Sequence, residues 1–155
     1  MLRRYGATHS ACRPDPTGHD GASWSGHYLD NLEWQINKPV ALAVFDGWLW
    51  RAARGIGDHT LYTAHHNGDH GWANRDLNVN WGITHGPAMA AHDNKLWILF
   101  RKADGKLYSA MCPRNADGPW GWSPAQPVGA PHAELVDEAA ATVHNGKLYV
   151  MYRRP

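Results

Sequence analysis

A fifteen-residue segment occurs three times in the chain, at Val40–Arg54, Pro87–Arg101 and Ala139–Arg153, and the copies align without a gap. Leu49, Leu96 and Leu148 share one repeat position, 47 and 52 residues apart. A period of that size suits a four-stranded sheet stacked beside others of its kind. Each copy opens on a strand of small apolar residues. A two-residue turn follows: Asp46-Gly47, Asp93-Asn94 or Asn145-Gly146. Such pairs tolerate the positive φ that a tight hairpin demands. The next strand is apolar on both faces, as in Leu96 to Phe100, which predicts a strand covered on both sides rather than one half exposed to water.

Two more strands are predicted in each unit. The third opens at Leu61-Tyr62-Thr63-Ala64 and at Leu107-Tyr108-Ser109-Ala110. The fourth opens at a tryptophan beyond a Gly/Asp-rich loop, at Trp72 and at Trp122. The third unit has only its first two strands before Pro155, and the complementary half is expected at the other end. There Arg4-Tyr5-Gly6-Ala7 resembles a third strand, with Ser10-Ala11-Cys12 as a competing register, and Trp24 resembles the start of a fourth. The expected organisation is one domain of three β-propeller blades. Residues 1–37 form the second half of a split blade, 38–84 and 85–134 form whole blades, and 135–155 form the first half of the split one.

Sheets of this kind close into a ring only in sets of about four to eight. Three blades would leave unpaired edges and bare apolar faces. Two chains exchanging strands at their termini would supply six blades and close symmetrically, whereas three chains would need nine. The expectation is therefore an all-β, six-bladed propeller made by homodimerisation. A segment of a longer propeller is the competing reading. Helix propensity over Ala133 to Ala140 is overridden by the repeat from Ala139 onward, with room for a short helical turn before it.

Composition narrows the function classes. Fifteen Lys plus Arg against 14 Asp plus Glu leave a formal charge of +1, no electrostatic footprint for nucleic acid or an anionic membrane. Nine Trp and 16 Gly favour short strands and tight loops. Cys12 and Cys112 make neither a zinc pattern nor a disulfide framework. The N-terminal residues lack the apolar run of a signal peptide or membrane span, so the expected compartment is the cytoplasm, with release by another route left open.

The repeat and the loop Asp69-His70-Gly71-Trp72, with a looser counterpart at Asp117 and Trp120 or Trp122, make the chain resemble bacterial propellers of the Asp-box, tachylectin-like and fucose-binding lectin type. The resemblance covers nearly the whole chain. It implies sugar binding in clefts between adjacent blades, up to six per ring, and gives the Asp-box loop a mainly structural role. Sialidase activity does not carry over, because three blades lack that family's arginine triad and Tyr-Glu pattern.

Several residues carry candidate chemistry. Arg54, Arg101 and Arg153 share a repeat position at a strand end, where a guanidinium needs either a neighbouring acceptor or a ligand. Trp34, Trp81 and Trp120 lie in less regular segments and are the aromatic candidates for stacking on a sugar. Trp24, Trp72 and Trp122 are expected to pack between blades. Carbohydrate binding without catalysis is the leading expectation. A small-molecule lyase or cyclase is the alternative, with His65, His66, His70 and Asp69 as acid–base candidates, joined by Asp58, His132 and Glu134. A protein-interaction scaffold is the third. No nucleophile motif or cofactor fingerprint is present, and neither a cofactor nor a metal is expected. His92 and His144 share a position filled by Phe45 in the first unit, but no ligand spacing accompanies them.

Overall fold

The computed structural model describes residues 9–10, 28–29, 36–57, 59–66, 72–74, 80–114, 121–129 and 131–155. Over these residues the protein is all-β, with twelve strands and no α-helix. Strands β1 (His9–Ser10) and β2 (Tyr28–Leu29) pair as a short antiparallel ribbon, Ser10 opposite Tyr28. The first sheet is a meander of β3 (Ala41–Phe45), β4 (Trp48–Arg54), β5 (Leu61–His66) and β6 (Trp72–Asn74). The second repeats the order with β7 (Ala88–His92), β8 (Lys95–Arg101), β9 (Leu107–Pro113) and β10 (Gln126–Pro127). The third holds β11 (Ala140–His144) and β12 (Lys147–Met151).

The hairpins share one register because the same turn chemistry sets it. Phe45 stands opposite Trp48, His92 opposite Lys95 and His144 opposite Lys147. Every turn pair adopts positive φ: 53° and 78° at Asp46-Gly47, 50° and 54° at Asp93-Asn94, 48° and 68° at Asn145-Gly146. Asp, Asn and Gly enter this region at low cost, and a β-branched residue would not.

Side chains alternate along the strands, so each sheet turns one face back along the array and one forward. The forward face of the first sheet, with Phe45, Trp50 and Ala52, packs on Met89, Leu96, Ile98 and Phe100 of the second. The second turns Ala88, Leu99 and Leu107 forward onto Leu135, Ala141 and Val150. Strand β3 runs alongside β7 and β7 alongside β11, so the three leading strands form a row. At its tightest point the row admits no side chain: a Cβ added to Gly86 would stand 2.7 Å from the Pro39 carbonyl oxygen.

Two expected details shift. The fourth strand of the second unit begins at Gln126, beyond Trp122, while Trp122 itself packs partly buried against the core between the first two sheets, in keeping with the packing expected of it. Among the described residues 131–139 no helix precedes β11. Glu134 bridges to Lys106 in β-geometry and Leu135, 2% exposed, anchors the segment in the core. Burial of one leucine decides against the helix propensity of its neighbours. The expected strands around Tyr5 and Trp24 lie outside the described residues.

Candidate functional site

The repeated arginines show how the sheets are fastened. Arg54 ends β4 and is 7% exposed, yet its charge is well supplied with acceptors. Nε donates to the carbonyl of Ile83 at 3.0 Å, Nη1 to Asn37 Oδ1 at 3.4 Å and Nη2 to His59 Nδ1 at 2.9 Å. Arg101 repeats the arrangement one sheet on. Its Nε donates to the carbonyl of Leu135 at 2.7 Å, and Nη1 to Thr84 Oγ1 at 2.8 Å. Ile36, Ile83 and Leu135 each stand 13 residues before the shared leucine, in the segment that leads into β3, β7 and β11. Each of these two arginines therefore holds the lead-in of its own sheet through Asn37 or Thr84, and the backbone of the next through Nε. A planar guanidinium serves the two directions from separate, rigidly spaced nitrogens, whereas an ammonium has a single nitrogen for both. Arg153 is exposed and donates to Asp137.

The hairpin end of the seam between the first two sheets carries a different set. Asp46, in the β3–β4 turn, pairs with Arg114 beyond β9 at 3.2 Å, and the Arg114 N–H donates to the Asn94 carbonyl at the neighbouring hairpin. Two residues after Asp46, Trp48 packs edge-on against His65, ring centroids 4.5 Å apart. Trp50 flanks His65 on the other side at 5.2 Å and donates its indole N–H to the Phe45 carbonyl at 3.2 Å. Trp48 and Trp50 are half-buried, whereas His65 is buried. These side chains share the forward face because Phe45–Trp48 and Trp50–His65 are cross-strand pairs. The result is a partly exposed indole two residues along the chain from a carboxylate that is paired with a guanidinium. Apolar stacking and paired hydrogen bonding are what it can offer a ligand.

The set breaks the repeat. Lys95 and Lys147 replace Trp48 at the equivalent positions, and Met111 replaces His65. Lys95 donates to Asp93 at 3.0 Å, and that hydrogen bond holds the Asp93 carboxyl below the usual carboxylate range. One seam is thus equipped differently from the next. Neither Trp48 nor the Asp46–Arg114 pair was a sequence candidate. The signal that could have found them was the place where the aligned copies disagree, rather than where they match.

The other candidates are dispersed. Trp81 stacks on Phe100 at 5.2 Å and 11°, on the back face of the second sheet, and Phe100 stacks on Tyr108. His66 lies on the back face of the first sheet, edge-on to Trp72 at 5.3 Å, so it and His65 point to opposite sides. His65 is enclosed by two tryptophans, which suits a positioned side chain better than a proton carrier needing substrate within reach. His132 is exposed in the approach to the third sheet. His70, Asp69, Asp58, Trp34 and Trp120 lie outside the described residues.

Among the described residues no group of three or more His, Cys, Asp or Glu is arranged to hold a metal ion, and no helix is long and apolar enough to cross a membrane. No protein-family model and no curated protein matches the chain.

Proposed function

We propose that the three sheets are propeller blades, that two chains close a six-bladed ring, and that the ring binds carbohydrate without chemistry in a seam between neighbouring blades. The observation that carries the sugar reading is Trp48, half-buried at the open hairpin end, with the Asp46–Arg114 ion pair in the same seam. An indole face pairs with the C–H surface of a pyranose, while a carboxylate and a guanidinium bracket its hydroxyls. Because this set breaks the repeat, it supports one principal site per chain, two per ring, rather than six equal ones. Weak single sites gain strength when a ring presents both to a branched glycan.

A glycan array followed by calorimetry on the best-bound sugar tests the proposal. One sugar per chain is expected, and Trp48→Ala should weaken binding by tenfold or more, on the order of 1.4 kcal/mol. The idea fails if no carbohydrate is retained, or if Trp48→Ala binds as the parent does.

A further inference from the structure

The third sheet ends the array with a face that resembles, position by position, faces buried elsewhere in the chain. Met151 is 76% exposed and Tyr149 45% exposed on its forward side. At the other end of the array, Leu42 (59% exposed), Val44 and Leu49 lie bare on the back face of the first sheet. The repeat states what belongs on each. A forward face meets a back face wherever two sheets adjoin here: first on second, second on third. The only back face of that type left open among the described sheets is the first sheet's own, so the complement of Met151 and Tyr149 is Leu42 and Val44 of another copy.

The arginine at the seam gives this contact a specific polar mark. Arg54 and Arg101 each donate Nε–H to the carbonyl that leads into the next sheet, at Ile83 and at Leu135. Arg153 occupies the same repeat position, its side chain is exposed, and its described partner is Asp137 within its own sheet's lead-in. Asp137 stands in the role that Asn37 and Thr84 play for the other two, one residue along because Val136 has no side-chain acceptor. The inward half of the staple is therefore made. The outward half has no acceptor among the described residues, and the residue equivalent to Ile83 and Leu135 in the next sheet of a ring is Ile36. Resting on the ring proposed above, we infer that Arg153 is the intersubunit staple: its Nε donates to the backbone carbonyl of Ile36 of the partner subunit, while the third sheet's forward face packs on the partner's first sheet. A twofold axis makes the contact twice, so each ring carries two such staples.

Sedimentation velocity over a dilution series of the intact chain and of Arg153→Ala, Arg153→Lys, Asp137→Ala and Leu42→Asp tests this, with circular dichroism confirming that each variant keeps its strands. Arg153→Ala should raise the dimer dissociation constant about tenfold or more, because a charge-assisted hydrogen bond is lost in each seam. Arg153→Lys should recover only part, since a single ammonium nitrogen lacks the separately placed donors with which a guanidinium reaches Asp137 and a carbonyl at once. Asp137→Ala should cost less than Arg153→Ala, and a folded Leu42→Asp should be monomeric. A parent chain that sediments as a monomer sinks the ring and the staple together. A dimeric parent whose affinity Arg153→Ala leaves unchanged, or Asp137→Ala lowers as much, keeps the ring and overturns the staple. A dimeric Leu42→Asp overturns the assignment of the faces.

Discussion

Leu99 and Met151 occupy the same position of the repeat, yet Leu99 is 2% exposed and Met151 76%. On the opposite face, Met89 is 5% exposed and its counterpart Leu42 59%. Among the described residues the second sheet has a neighbour on both sides, whereas nothing packs in front of the third and little lies behind the leading strands of the first. Residue type does not separate these pairs, so the neighbour decides burial. A large apolar side chain gains about 1.5–3 kcal/mol on full burial, and several on each open face leave that gain unrealised in a single chain. The covered sheet therefore serves as an internal reference for what the open faces lack.

The largest effect should come from the covered side. Leu99→Ala is expected to destabilise the fold by about 2–5 kcal/mol in a urea titration, through lost burial and the cavity left behind. Met151→Ala should cost stability only at chain concentrations where the open face is covered. Equal losses at all concentrations would break the comparison. Gly86→Ala follows, at about 1–3 kcal/mol, because its Cβ would press into the Pro39 backbone, which cannot yield as a flexible side-chain tip would; a variant melting with the parent would show that the row of leading strands is looser than drawn. Arg101→Ala should cost about 1.5–3 kcal/mol through its bonds to Leu135 and Thr84, whereas Arg153→Ala should leave a dilute single chain nearly unchanged.

The smallest effect is a pH dependence in the segment leading into β7. His85 lies there, its imidazole bonded to Thr84 Oγ1 at 3.0 Å. Burial, and then repulsion from Lys38, hold its pKa below the ordinary 6.5, against the pull of Glu138 and Asp137. The unfolded chain therefore takes up the proton at higher pH than the folded one. Stability from this group is present above about 6.5, falls as pH drops through that value, and levels off below the folded pKa. His85→Gln should flatten that part of a stability-against-pH curve; an unchanged slope would assign it to another group.

Much of the architecture was legible because it is local. Turn pairs such as Asp46-Gly47 fix the hairpins, and a strand like Leu96 to Phe100, apolar on both faces, announces neighbours on both sides. The arginine repeat was equally visible, but its acceptors were not: a backbone carbonyl has no side-chain signature, and Ile83 is 29 residues from Arg54. The same limit hid the Trp48–His65 contact, which depends on the register of β4 against β5. The start of β10 was hidden for a related reason: Trp122 fills a seam as expected, but a tryptophan that fills a seam and one that also opens a strand look alike until the strand's pairing is known.

Native mass spectrometry on the dilute chain puts the question most directly. Bare leucine and methionine faces at opposite ends of one array should be found covered by another copy, giving a species at twice the 17.3 kDa chain mass. A folded species at 17.3 kDa alone would mean that those faces stay in water, and that the seam between chains does not exist.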